Sequence, residues 1–176
     1  MTIEMVRAIE PLIPALRRYA RALLANRADA DDLVQDCLER AVSRWHQRRP
    51  DSEPRPWLFA ILHNLAMTRL RRASSRPRSA SIDETGELEF ARPATQEDAL
   101  RHAELLRALA QLPEDQRAVL LLVAVEELSY AEAATALDIP IGTVMSRLSR
   151  ARARLHTLLS AEPARAPVSP PLRRVK

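Results

Sequence analysis

Arg147, Arg150, Arg152 and Arg154 follow one another near the end of the chain, with no acidic residue between Asp138 and Glu162. Guanidinium groups present a planar fork of donors that suits phosphate oxygens and the edge of guanine. A second basic cluster, Arg69, Arg71 and Arg72, comes a few residues after Asn64. Arginines of this kind can hold phosphates. A third group is polar and acidic: Asp32, Gln35 and Asp36 stand at i, i+3 and i+4 and so share one face of a helix. Taken alone, that face is a solvated one, with Asp36 and Arg40 as an i, i+4 ion pair. A run of arginines on an exposed helix is usually a solvated face too.

Other chemistry has little support. His46, His63, His102 and His156 are scattered without metal-ligand spacing, and with two glycines the chain has no glycine-rich phosphate loop. Cys37 is the single cysteine, which excludes an internal disulfide and any multi-cysteine metal site. It lies within an apolar helical stripe, where burial is the expected fate. No catalytic residue, metal ligand or cofactor is expected.

The elements that must position these groups are helical. Ala, Leu and Arg dominate the 176 residues, and all three are strong helix formers. No stretch alternates apolar and polar residues over a strand's length, so the fold class is all-α. Length allows two small domains. In the first, Leu12, Leu16, Tyr19, Leu23 and Leu24 recur at helical spacing. Leu33, Val34, Cys37, Leu38, Ala41, Val42 and Trp45 form a second stripe, opened by Asp29, Asp31 and Asp32 at the positive end of the helix dipole. The residues from Arg48 to Pro56 read as a proline-rich loop, with Pro56 at the first position of a third helix that buries Leu58, Ile61, Leu62 and Leu65. Trp57 and Phe59 on that helix could stack on bases, but aromatics on a small apolar helix more often fill a core.

Composition shifts after that helix. The segment 76–95 has few large apolar residues and carries Asp83, Glu84, Glu87 and Glu89. It cannot offset the entropy of ordering itself and is expected to be a flexible acidic linker between domains at 8–75 and 96–161. The tail 162–176, with Pro163, Pro167, Pro170 and Pro171, is expected to be disordered. Met1 to Glu10 lacks the layout of a secretory signal, and the apolar run Ala118 to Val125 is too short to span a bilayer. A cytoplasmic location without membrane insertion is expected.

The sharpest local pattern runs from Leu128 to Leu159. Ser129 and Glu132 fit a capping box ahead of a short helix. Asp138-Ile139-Pro140 breaks it, since proline disfavours helix in the residue before it, and Asp tolerates the left-handed turn. Gly142-Thr143 then opens a helix with Val144, Leu148, Ala151, Leu155 and Leu158 facing inward. This is a helix-turn-helix pattern, and its second helix, the one that enters the major groove in such motifs, carries the arginines.

Leu112-Pro113-Glu114-Asp115-Gln116-Arg117, Leu128-Ser129-Tyr130 and Ile139-Pro140-Ile141-Gly142-Thr143-Val144-Met145-Ser146-Arg147-Leu148 together resemble domain four of the extracytoplasmic-function (group IV) sigma factors. Asp29-Ala30-Asp31-Asp32-Leu33-Val34-Gln35-Asp36 and Pro56-Trp57-Leu58-Phe59-Ala60-Ile61-Leu62-His63-Asn64-Leu65-Ala66 resemble domain two of the same family. The resemblance spans nearly everything from Pro11 to Ser160. It implies an RNA polymerase sigma factor that binds core polymerase, recognises promoter −35 and −10 elements and directs initiation. It further implies that Thr143, Met145, Ser146, Arg147, Arg150 and Arg154 contact the −35 element, and that Asn64, Arg69, Arg71 and Arg72 capture the −10 element. Asp32, Gln35 and Asp36 would meet the clamp helices of the largest polymerase subunit, with the β flap and an anti-sigma factor as further partners. Met145 departs from the Lys or Arg often found there, and Ala133 from a larger aliphatic residue. Two rival functions are a stand-alone helix-turn-helix regulator and a sigma mimic that sequesters an anti-sigma factor.

Overall fold

The computed structural model describes residues 3–24, 26–49, 52–74 and 96–161. The acidic linker at 76–95 and the tail at 162–176 therefore lie outside the described residues. Among those described, every regular element is helical.

Helix α1 (Ile3–Ile9) leads through a tight turn at Glu10–Leu12 into α2 (Ile13–Leu23). Sequence periodicity predicts the second of these and misses the first. Pro11 and Pro14 each fall in the first turn of an element, where no helical N–H is lost. Helix α3 (Arg27–Arg44) is capped by Asn26, whose Oδ1 accepts from the Asp29 N–H at 3.1 Å. It buries Ala30, Leu33, Val34, Cys37 and Ala41, the expected stripe. Helix α4 (Pro54–Ser74) begins two residues before Pro56, which still falls among the first N–H groups that have no intrahelical partner.

Helices α2, α3 and α4 pack on one another around Leu16, Tyr19, Leu33, Leu58, Phe59 and Leu62, all essentially inaccessible to solvent. Phe59 meets Tyr19 edge-to-face at 5.4 Å, so it is a core residue and not a stacking platform for a base. Trp57 is half-buried against Trp45 at 5.9 Å, and the Arg48 guanidinium lies 4.7 Å from the centre of the Trp45 ring. Burial pushes the Cys37 thiol up to about 12, and its Sγ donates to the Leu58 carbonyl. It is a packing residue, as its place in the stripe implies.

The second half consists of α5 (Gln96–Ala110), α6 (Glu114–Leu120), α7 (Tyr130–Leu137) and α8 (Ile141–Ala161). Helix α6 widens at Leu121–Val125 into a π turn, marked by the Glu126 N–H donating to the Leu121 carbonyl at 2.9 Å. The apolar run makes this the central helix, with Ala118, Val119, Leu121 and Leu122 buried. It packs on α8, which in turn rests on α5 and α7.

The two halves are not separate bodies. Helix α4 packs along α7, and α2 touches α6 and the π turn. The buried apolar residues of both halves form one continuous cluster. Sequence patterning treats each half as having its own core, because a contact between elements so far apart leaves no periodic trace.

Candidate nucleic-acid and partner interfaces

The helix-turn-helix forms as its local chemistry dictates. The Ser129 side chain accepts from the Glu132 N–H at 3.2 Å, while the Glu132 carboxylate accepts from the Ser129 N–H at 2.8 Å. These bonds hold the Glu132 carboxyl below its ordinary range. Asp138 ends α7 at φ 53°, ψ 49°, the left-handed region that reverses the chain toward α8. Val144, Leu148 and Ala151 then bury one stripe of α8.

The opposite side of α8 is the expected −35 surface. Arg150, Arg152 and Arg154 are exposed, and none of them pairs with a carboxylate among the described residues. Arg147 differs: its Nε lies 3.1 Å from Asp115 Oδ2, on the first turn of α6, and its side chain is only 29% exposed. Thr143 and Ser146 are half-buried, with the Ser146 hydroxyl donating to the Thr143 carbonyl at 3.1 Å. Met145 is exposed.

The expected −10 residues gather on the last three turns of α4. Asn64 is exposed, and its carbonyl accepts from the Thr68 hydroxyl. Arg71 and Arg72 are exposed, with Arg71 donating to the Met67 carbonyl at 3.2 Å. Arg69 reaches across to α3, where it binds the Asp36 carboxylate at 2.5 Å and the Asp29 carbonyl at 2.8 Å. Asp36 therefore pairs with Arg69 on the next helix instead of with Arg40 on its own. Asp32 stands exposed beside it, and Gln35 donates to Glu39 at 3.0 Å. The expected polymerase face and the expected −10 face are thus joined by one ion pair.

Residues 9–63 match the family model described as the Sigma2 domain of PhyR, and residues 102–155 the model described as Sigma-70, region 4. The chain is 37% identical over 154 residues to the ECF RNA polymerase sigma factor EcfG of Rhodopseudomonas palustris (strain TIE-1), covering 86% of this chain and 83% of that one. It is 36% identical over 167 residues to the ECF RNA polymerase sigma factor SigC of Mycobacterium tuberculosis (strain CDC 1551 / Oshkosh), with 89% and 85% covered. The chain belongs to the extracytoplasmic-function RNA polymerase sigma factors. Two solved structures share its fold. One is the sigma factor RpoE of Bartonella quintana in complex with the anti-sigma factor NepR (TM-score 0.72, 29% identity, 92% of this chain and all of that one). The other is CnrH in complex with the cytosolic domain of CnrY (TM-score 0.68, 28% identity, 90% and 89% covered).

In this sigma factor the region 2 domain is built on α2–α4 and the region 4 domain on α5–α8. Sequence reasoning missed the residues that lock the two together. Glu126, the polar residue that follows the apolar run, is 1% exposed. Arg18 of α2 grips it with two parallel bonds, Nε to Oε1 at 3.1 Å and Nη2 to Oε2 at 2.8 Å. Arg55, at the start of α4, donates to the Glu126 carbonyl and lies 3.9 Å from Oε2. Arg117 of α6 reaches back to the Leu23 carbonyl at 3.3 Å. Burial raises the Glu126 carboxyl above its ordinary range, with Arg18 and then Arg55 opposing that shift. Beside this joint, Tyr19 bonds His63 at 3.1 Å, and burial followed by the charge of Arg147 lowers the His63 imidazole to about 4. A carboxylate directly after an unbroken apolar run was the available signal, since such a residue is buried only when it is paired.

Proposed function

We propose that this sigma factor joins core RNA polymerase through Asp32, Gln35 and Asp36 on α3 and contacts a promoter at two places. The basic end of α4, with Asn64, Arg69, Arg71 and Arg72, captures the −10 element. The outer face of α8, with Thr143, Met145, Ser146, Arg147, Arg150 and Arg154, reads the −35 element. The carrying observation is that α8, the second helix of a helix-turn-helix, exposes Arg150, Arg152 and Arg154, which no carboxylate among the described residues neutralises. Its partners are the largest-subunit clamp helices, the β flap, promoter DNA and an anti-sigma factor of the kind seen with RpoE. It acts in the cytoplasm, as a DNA-sequence adaptor of the polymerase and without catalysis of its own. No described helix is long and apolar enough to cross a membrane, and no described cluster of His, Cys, Asp or Glu suits a metal.

A sigma mimic is the second reading, because the region 2 model matched is that of PhyR, and a PhyR structure is described as an anti-anti-sigma factor bound to NepR. Such a mimic has no use for a basic DNA-facing helix. In vitro transcription with purified core enzyme on a genomic promoter library separates the two. A sigma factor yields transcripts with shared upstream sequences, and a mimic yields none. Reversing Asp32 and Asp36 to Lys should abolish core binding and transcription while circular dichroism stays helical, because like charges in an interface cost affinity and on-rate.

A further inference from the structure

Helix α8 carries four arginines and no acid, yet exposes large apolar side chains: Leu159 near its end and a pair at its start. Ile141 is 49% exposed and Met145 is 52% exposed, in the first two turns of α8. At i and i+4 they lie one turn apart on the same side. At 100° per residue they flank the buried Val144–Leu148–Ala151 stripe together with Arg152, while Arg150 and Arg154 lie on the other flank. Single exposed apolar residues are ordinary on a protein surface and imply nothing by themselves. This pair is set apart by its surroundings. Along α8 there is no carboxylate, so the helix suits a polyanion and repels a basic partner. The first turns of the second helix are also the part of a helix-turn-helix that reaches base edges. In the major groove one base alone presents an apolar group, the C5-methyl of thymine.

We infer that Ile141 and Met145 are specificity-determining residues that pack on thymine methyl groups in the −35 element. The proposal rests on the −35 role of α8. An arginine at either place would select guanine; an aliphatic side chain and a thioether select thymine by desolvating a methyl group that cytosine lacks. Thr143 and Ser146 are half-buried, so Ile141 and Met145 are the large exposed apolar side chains at the start of α8.

The test uses the full chain bound to core polymerase. A duplex with a randomised −35 segment is selected for binding, and each thymine of the winning sequence is then replaced by deoxyuridine. That change removes the methyl and leaves every hydrogen-bonding group in place. At one or two positions the wild-type complex should lose about fourfold in affinity, the factor expected for one buried methyl-sized group. Met145→Ala and Ile141→Ala should bind the thymine duplex correspondingly less well and show no further loss with deoxyuridine at their own position. Both side chains are exposed, so the variants should keep wild-type helicity and core affinity. Indifference to deoxyuridine at every position overturns the proposal, as does an equal loss in wild type and variants. So does a drop in core affinity without any dependence on the base, which would assign the pair to a polymerase surface. A complex that selects no −35 sequence at all defeats the α8 reading itself, an outcome distinct from selective binding that ignores the methyl.

Discussion

Arginine serves opposite ends at the joint between the two domains and on the outer face of α8. At the joint, Arg18, Arg55 and Arg117 are spent inward, on one buried carboxylate and two backbone carbonyls. On α8, Arg150, Arg152 and Arg154 keep their charge for whatever approaches from outside. Arg147 stands between these cases, half-neutralised by Asp115 and near enough to the other domain to depress His63. The net charge of +4 conceals this division. Placement of the acidic residues decides which arginines build the fold and which are available to a polyanion. The joint also bears on function. Promoter elements about 25 base pairs apart are separated by about 85 Å of duplex at 34–36 Å per turn. Packed as one compact body, the described residues have a radius of gyration of about 14 Å. One closed body cannot reach both elements, so the proposed function requires the joint to open.

The largest effect should come from breaking that joint. Glu126→Lys places a third cation against Arg18 and Arg55. Leaving a buried charge without its partner costs about 3–5 kcal/mol, less whatever the half-exposed Arg18 and Arg55 recover by turning to solvent. The domains should part, read as lost energy transfer between dyes on Ser43→Cys and Thr157→Cys, both exposed sites. Cys37 is buried and should not label. The swap Arg18→Glu with Glu126→Arg should restore part of the transfer. Transfer that is unchanged in Glu126→Lys would show that apolar packing of α4 on α7 holds the domains without this carboxylate.

His63 offers a smaller effect with a defined sign. Its imidazole titrates near 6.5 when unfolded and at about 4 when folded. The unfolded chain thus holds more protons between those values, so stability is full above about pH 6.5 and falls as pH drops toward 4. The loss is on the order of 3 kcal/mol. Glu126 acts in the other direction, since a raised carboxyl pKa favours the folded state as pH falls. The difference between wild type and His63→Gln in urea midpoints at pH 7.5 and pH 5 isolates the imidazole. Arg147→Ala should shrink that difference, because the charge that adds to burial in keeping His63 neutral has gone.

Comparison of Arg150 with Arg147 measures what an intramolecular partner costs a DNA contact. Arg150→Ala should weaken promoter binding by ~1–3 kcal/mol if the side chain pairs with a guanine. A pure phosphate contact would instead lower affinity for all sequences and reduce the salt slope by about one. Arg147→Ala should cost less, because Arg147 must leave Asp115 before it meets DNA. Asp115→Asn should raise affinity slightly for every duplex. An Arg147 effect as large as that of Arg150 would mean that the Asp115 pair does not compete with DNA.

What sequence reveals here depends on how local the cause is. The capping box, the left-handed Asp138 and the Val144–Leu148–Ala151 stripe are decided within a few residues, and all are present. Family likeness and the all-α class follow from the same short-range patterns. The joint is different: Arg18 and Glu126 are 108 residues apart, and neither sits in a motif. Arg55 falls in a segment that reads as loop, and Glu126 merely follows an apolar run in the sequence. Arg147 has the spacing of an outward residue, and its tie to Asp115 depends on how α6 crosses α8. Asp36 likewise has an obvious partner in Arg40, and the fold gives it Arg69 instead.

That last substitution of partners gives the smallest effect and the finest comparison. The Arg69 and Asp36 side chains are 30% and 50% exposed, so their pair contributes about 0–1 kcal/mol to folding. Asp36→Asn and Arg69→Ala should therefore unfold in urea at nearly the wild-type midpoint. The two variants should differ sharply in binding. Asp36→Asn removes a proposed polymerase contact and should weaken core affinity measured by fluorescence anisotropy. Arg69→Ala should leave core affinity intact and weaken capture of a single-stranded −10 segment by the assembled complex. Core polymerase that engages Asp36 would also release Arg69 for a phosphate, which joins the two surfaces in sequence. Equal losses of core affinity in both variants would show that Arg69 acts by positioning Asp36, and the basic end of α4 would then keep Asn64, Arg71 and Arg72 as its DNA contacts.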